Sequence, residues 1–486
     1  VRFAREVLAR ATAPERTKLL DVARTVVAER KKEESARLAQ KLGALGVDWA
    51  AGPAGGTPRP LVTVTPPPGK RYAAGETLPW TVTVENKGDG ALRRLRAWTR
   101  VEKNALLDRR EFVFGTVKPG EKRSWTVPVK LPRSLDSRHD AAQLVFEEEN
   151  GNAPASVAAA IDVVEVAKPA FAFSAQVEDD HGNGDGLVQK GEKITLRIDV
   201  RNEGTGPSGD KTYVSLKNLG DDKIFIDKGR QVVGAIGPGA TKTAVLQLEV
   251  KKAFKPDAVP LRVTVADEKM FEFVTERLEV PVRPERTRTP ASGAVRVTAD
   301  AALLRTGAEA GAPAIATAKK GALLPVQGKW GEFYRVEWEK GRRAFVAPGD
   351  VEPASAGKGA PSGAIAEAWQ REPPRIEVSP DPAQGAPVID ADKIHVTGVA
   401  SVPPGVPGAR TRLRDVFVMV NDQKVFFKVV PETGATTRME FQADVPLKPG
   451  NNTVTVFARE DEEFLTRRTF YVYRRAAAEV AQGVAK

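Results

Sequence analysis

Two landmarks recur along this chain in the same order, and that repetition limits its fold more than any other feature of the sequence. Gly75-Glu76, an alternating run and then Glu85-Asn-Lys-Gly88 return as Gly191-Glu192, a similar run and Arg201-Asn-Glu-Gly204, 116 residues later. Phe114-Gly-Thr-Val-Lys-Pro-Gly120 returns as Val233-Gly-Ala-Ile-Gly-Pro-Gly239, 119 residues later. Self-similarity of this kind marks repeated folding units. In the first unit, Thr81-Val-Thr-Val-Glu85 and Trp125-Thr-Val-Pro-Val-Lys-Leu131 alternate polar and apolar residues, the period of a strand with one face buried. Turn residues such as Lys118-Pro-Gly-Glu121 separate them. The length and strand spacing predict an immunoglobulin-like sandwich over residues 61–165 and a repeat of it over 170–282.

The remainder extends the pattern. Residues 294–353 hold short strands separated by Gly turns, which suits an SH3-like barrel. Residues 375–474 carry Phe417-Val-Met-Val-Asn421, Val425-Phe-Phe-Lys-Val-Val430 and Thr453-Val-Thr-Val-Phe457 and predict a third sandwich. Its Leu447-Lys-Pro-Gly-Asn-Asn452 turn is similar to the Pro-Gly turns of the first two. Gly/Pro-rich residues 49–60 and Ala/Gly/Pro-rich residues 354–374 read as linkers, and 475–486 as a tail. The expected fold is mainly β: tandem immunoglobulin-like sandwiches plus one SH3-like barrel, with an N-terminal helical segment.

That segment is residues 1–48. Val1, Ala4, Val7, Leu8 and Ala11 share one helical face, and the pattern resumes at Leu19, Val22, Val26 and Val27. Thr12-Ala-Pro-Glu15 between them has the form of a capping box with Pro in the first turn. Leu38, Leu42 and Leu45 continue the stripe, and Gly43 or Gly46 can end it. The stripe has too little partner within the segment, so it is expected to pack on the next domain or on one upstream. A start at Val1 rather than Met reads as a fragment or a processed chain.

Composition excludes several kinds of chemistry. With no Cys there is no disulfide, thiolate nucleophile or Cys metal site, and the three His lie far apart at His139, His181 and His395. No run approaches the roughly 18 apolar residues of a transmembrane helix. No GxSxG elbow, Walker A loop or HExxH motif is present, so no catalytic residue is assigned. The net charge is +11, without a nucleic-acid-binding motif or an aromatic ladder, and no nucleic-acid partner is expected.

Three groups of residues remain as candidate sites. Arg93, Arg94 and Arg96 lead a basic stretch that would suit an anionic surface or partner, or a solvated strand face. The loop Asp179-Asp-His-Gly-Asn-Gly-Asp-Gly-Leu-Val-Gln-Lys-Gly-Glu192 is dense in hard oxygen donors. With Gly186 as the turn glycine of an EF-type loop, Asn183, Asp185 and Glu192 fall at ligand positions. His181 falls at the first position, where Asp180 could substitute. This is a candidate calcium site; the other reading is an Asx-rich turn into a strand. In the barrel, Trp330, Tyr334 and Trp338 share strand parity with Val336 and would line a groove for cell-wall peptide or fill the core.

With VRFAREVLARA, LGALGVDWAAGP, FGTVKPGEKRSW, GNGDGLVQKGE and the barrel in this order, the layout resembles the non-catalytic C-terminal region of bacterial PDZ-containing tail-specific (C-terminal-processing) serine proteases. The duplicated units are also similar to the CARDB class of bacterial immunoglobulin folds. The resemblance implies an exported peptidase of the periplasm or cell envelope, with a protease core upstream of a helical segment like residues 1–48. The family's catalytic Ser and Lys and its PDZ groove match no segment here. The expected function is an accessory binding and positioning region that recruits protein or peptide substrate, a partner protein or peptidoglycan. The alternative is a stand-alone cell-envelope adhesion or scaffold protein.

Overall fold

A computed structural model describes residues 12–179, 182–355, 363–403, 412–431 and 436–476. The chain is mainly β, with sandwich-like pairs of sheets and one long helix near its start. Among the described residues no helix is long and apolar enough to cross a membrane.

The helix spans Ala13–Gly43. The Glu15 carboxylate accepts from the Thr12 N–H at 2.8 Å and from its hydroxyl at 2.7 Å, as the capping box predicts. At the other end Gly46, at φ +75°, donates to the Gly43 carbonyl, and Val47 donates to the Leu42 carbonyl at 2.9 Å. These are the paired bonds of a Schellman closure, and buried Leu42 and Val47 are its apolar clasp. The helix does not otherwise pack on the next domain: Leu19, Val22, Val26 and Val27 are exposed. Only its last turn lies near the sandwich. The stripe's first part, residues 1–11, lies outside the described residues.

In the first sandwich, a sheet of Pro60–Thr65, Thr77–Asn86 and Lys122–Lys130 faces a second of five strands. That second sheet runs Arg71–Ala73, Val157–Val164, Arg138–Glu147, Leu92–Val101, Glu111–Val117. Alternation works as expected: Leu78, Trp80, Val82 and Val84 point inward and are fully buried. Phe112 meets Trp80 edge-on at 6.0 Å. Each such side chain contributes about 2–3 kcal/mol by leaving water.

The second sandwich repeats the first in its local devices. Gly75 and Gly191 have φ +95° and +90°, and a Cβ on either would come within 2.7 Å of a long side chain, Arg133 or Lys252. Glu76 accepts from the N–H of Ala73, and Glu192 from that of Gln189. Its sheets run Ile224–Lys228, Thr241–Val250, Glu192–Asn202, Phe171–Glu178 and Arg230–Val232, Tyr213–Asn218, Ala258–Asp267, Glu272–Pro281.

The third sandwich has the strand order of the first. Arg375–Ser379, Lys393–Ser401 and Arg438–Pro446 face Val388–Ile389, Leu465–Arg474, Gly450–Arg459, Asp415–Val420 and Gln423–Val429. In both, the short second strand runs parallel to the last. The second sandwich keeps only a parallel bridge there, Val188 to Val282. The Leu447–Asn452 turn is not the counterpart of the earlier Pro-Gly turns. It follows the strand Arg438–Pro446, whereas those precede the corresponding strands Lys122–Lys130 and Thr241–Val250. A Pro-Gly pair reports a turn, not its place in the topology.

Between second and third sandwiches, a curved sheet wraps one small core that includes Val295, Leu304, Leu324 and Val336. The expected linkers are built in rather than free. Ile365–Glu367 adds an edge strand to Ala314–Lys319, and Arg371 bridges Phe173. Residues 48–57 are strapped to the first sandwich through Asp48, Ala54 and Thr57 carbonyls. Residues 356–362 and the tail from 477 lie outside the described residues. The third sandwich also reaches back: Phe464, in the hairpin before Leu465–Arg474, is fully buried in the core of the second.

Candidate functional site

The acidic loop and Trp330 of the barrel, expected in separate sites, meet each other. Asp179 is buried, and its carboxylate accepts from the N–H groups of Gly184, Asp185 and Gly186 at 3.0–3.1 Å. Asp185 is fully buried and accepts from Leu187 N–H at 2.8 Å, the Gln189 amide and, across the joint, Arg286 N–H at 2.9 Å. Asn183 accepts from the Asp185 N–H and donates to Gln189. Burial, with Asp179 and Asp185 nearby, pushes Glu192 up to about 7. Asp180 and His181 lie outside the described residues. Among the described residues no group of three or more His, Asp or Glu is placed to hold a metal ion. Asn183 and Asp185 accept from N–H groups of the turn itself.

Trp330 is 3% exposed and donates its indole N–H to the Asn183 carbonyl at 2.8 Å. Arg288 and Arg335 lie over its ring, each at 5.2 Å, and Arg335 donates to the Gly184 carbonyl. Trp330 therefore clamps the barrel to the second sandwich and lines no groove. The parity argument fails because Gly331, at φ +56°, turns the chain: Trp330 ends Leu323–Trp330, whereas Tyr334 and Trp338 belong to Phe333–Glu339. Tyr334 and Trp338 are partly buried against the barrel core, with Arg342 over the Trp338 ring at 4.1 Å.

The three arginines are also engaged. Arg96 donates twice to Glu147, Arg94 pairs with Glu149 and donates to the Trp49 carbonyl, and Arg93 reaches the Pro53 carbonyl. Arg93 and Arg94 hold the strap to the sandwich, and Arg96 ties two neighbouring strands together. The neutralising run Glu147-Glu148-Glu149 is plain in the sequence but lies at the end of a neighbouring strand, so spacing along the chain hides the pairing.

The concave surface lies elsewhere. A cleft of about 700 Å³ opens where the three sandwiches meet, between residues 165–171, the 271–275 hairpin, Pro373-Pro374 and the strand beginning at Leu465. Phe271 and Phe273 stand beside it at 66% and 56% exposure. Arg467 lies over the Phe273 ring at 5.7 Å, and Phe457 of the third sandwich continues the wall. Next to the cleft, Arg371 pairs with Glu276 at 2.8 Å, Glu460 at 3.1 Å and Asp461 at 3.1 Å. Burial outweighs that guanidinium and pushes Glu276 up to about 7 and Glu460 to about 8. Sequence reasoning missed all of these residues. No local signal marks them: Phe271-Glu272-Phe273 alternates as a strand with one buried face does.

No family model matches this chain, and no curated protein matches it. Among solved structures it is similar to a protein of unknown function from Porphyromonas gingivalis W83, at 15% identity over 46% of this chain and 99% of the other, with a TM-score of 0.15. It is similar to red sea bream transglutaminase, at 13% identity over 47% of this chain and 31% of the other, with a TM-score of 0.19. It is also similar to the fibronectin(III)-like modules of Clostridium thermocellum CbhA, at 11% identity over 46% and 94%, with a TM-score of 0.17. At these scores none of the three carries an argument, and the architecture stands on the sheets described above.

Proposed function

We infer that this chain is a non-catalytic binding and positioning region whose ligand is polypeptide, held extended at the cleft between the three sandwiches. The supporting observation is the pair Phe271 and Phe273, more than half exposed beside a concave junction whose walls come from separate sandwiches. Aromatic side chains left in water at such a junction are suited to anchor a partner. Following the resemblance, the parent protein would be an exported serine endopeptidase of the periplasm or cell envelope, and this region would hold substrate for a protease core carried elsewhere in it.

The reading is tested by mixing the full chain with fluorescein-labelled casein, an unfolded polypeptide, and following both anisotropy and fragment pattern. Saturable binding with the casein left intact is expected. Absence of binding, or cleavage that survives repurification, would overturn it.

A further inference from the structure

The cleft does not end at Arg467. On the outer face of the third sandwich, Phe427 stands opposite Phe417, Phe417 opposite Phe457 and Phe457 opposite Arg467, on four adjacent strands. Neighbouring Val416, Val418, Val454 and Val456 point into the core, which sets this row outward. The Phe417 and Phe457 rings stack at 4.6 Å. Lys424 lies over both Phe417 and Phe427, at 4.6 and 5.0 Å. Phe427 is 51% exposed and Phe457 half-buried, while Phe417, at 9%, lies beneath Lys424 as the floor between them. Arg467 then joins the row to Phe273 and the cleft.

The other end of this sheet face is already covered: Tyr473 meets the His139 ring edge-on and Tyr471 lies under Arg138, both from the first sandwich. The open end is therefore half of a face built to be covered. Among the described residues its cations Lys424 and Arg467 are unmatched at contact distance: no ion pair engages them, whereas Arg459 beside them is matched by Asp415. The cleft beyond them also carries Glu272 and Glu463. Cations fixed over aromatic rings suit a ligand that brings carboxylates and apolar groups together.

We propose that Phe427, Phe417, Phe457, Arg467 and Phe273, with Lys424, form a track for an extended acidic polypeptide segment whose acidic residues alternate with aromatic or aliphatic ones. Three strand spacings plus the step to Phe273 make about 20 Å, the length of about six extended residues. The proposal rests on the reading that the chain binds polypeptide and adds the chemistry of that polypeptide.

The test uses the full chain and fluorescein-labelled peptides of about eight residues alternating Glu with Leu or Phe. Controls have Lys in place of Glu, or Ser in place of the apolar residues. The acidic-apolar peptide should bind best and weaken with salt. Phe427→Ser and Phe273→Ser, both at exposed positions, should each weaken it by about tenfold, and Lys424→Glu should shift preference toward the Lys peptide. Circular dichroism melts identify any variant that has merely unfolded, and Phe427→Tyr, which keeps the ring, should retain binding. Equal binding of Glu and Lys peptides, or variants that bind as the parent does, would overturn the track while leaving casein binding standing. Absence of casein binding by the parent chain would overturn the broader reading as well. A concentration-dependent dimer abolished by Phe427→Ser would assign the face to a second copy and also overturn the proposal.

Discussion

Asn86 and Asn202, 116 residues apart, make the same four hydrogen bonds. The Asn86 amide donates to the carbonyls of Gly90 and Val117 at 2.7 and 3.0 Å and accepts from the N–H groups of Arg59 and Gly88, both at 3.1 Å. The Asn202 amide donates to Gly206 and Ile236 at 2.8 and 2.9 Å and accepts from Ala170 and Gly204 at 3.2 and 2.9 Å. Both are fully buried. In each sandwich one side chain ties the first strand to two turns.

Removing either amide strands buried backbone groups. Asn202→Ala is expected to cost about 3 kcal/mol, read as a lower denaturation midpoint for the second sandwich. Asn202→Asp keeps the acceptors, loses both donations and buries a charge, so it should be no better than Ala. An unchanged midpoint in either variant would contradict this account.

Stability should fall as pH rises through neutrality. Glu276 and Glu460 have a reference value of 4.5 and are raised to about 7 and about 8 in the folded chain, by burial first, against the opposing pull of Arg371. Between those values the folded state binds more protons than the unfolded one, so the stabilisation is complete at low pH and drains as pH climbs through 7 and 8. The charges facing the pair are Arg371, Asp461 and Glu463, the last held by Arg262. Melting curves between about pH 5 and about pH 9 should show the decline, and Glu460→Gln, neutral throughout, should flatten it.

Trp330→Ala should unhook the barrel. It deletes a buried indole, its bond to Asn183 and the surface on which Arg288 and Arg335 rest, a loss of about 3–5 kcal/mol. Faster proteolysis between residues 283 and 293 is the expected readout. A digestion pattern identical to that of the parent would argue against the clamp.

The loop that forms the other half of that joint is closed by its own amide groups. Asp179→Ala should lower the melting temperature of the joint in buffers with calcium or with excess chelator, because three N–H groups lose their acceptor. Chelator alone should leave the parent's melt where it is. A chelator-dependent shift of the parent's melt would show an ion held at the loop.

Replacing Val22 and Val26 together with Asp should leave the melting of the three sandwiches unchanged, since both side chains are largely in water at 60% and 46% exposure. Calorimetry on the full chain checks this, with loss of helix by circular dichroism as the accompanying signal.

The fold was legible wherever the determining signal is local and periodic. Strand alternation placed Leu78 and Trp80 inside, the capping box at Thr12 and Glu15 formed, and the duplicated Gly-Glu and Asn-Lys-Gly or Asn-Glu-Gly landmarks marked equivalent turns. The candidate sites were less legible because their chemistry was consumed by contacts between distant segments. Asn183 meets Trp330 across 147 residues, Arg96 meets Glu147 across 51, and Arg262 meets Glu463 across 201. A lone sequence shows what a side chain can bind but not which group arrives first. Arg371 was hidden for the same reason: a Pro-rich, low-complexity stretch reads as spacer, yet it carries the guanidinium on which two sandwiches converge.

Phe464 in the core of the second sandwich sets an order of assembly. A ribosome that has delivered this chain as far as Val282 has supplied every strand of that sandwich but leaves the place of one phenylalanine ring vacant. The vacancy can be filled only after almost another two hundred residues have been made, so vectorial folding from the first unit onward stops short of the final state. The second sandwich waits, incompletely packed, for a hairpin encoded far downstream, and a nascent chain stalled before that hairpin would expose a hydrophobic gap to chaperones and proteases.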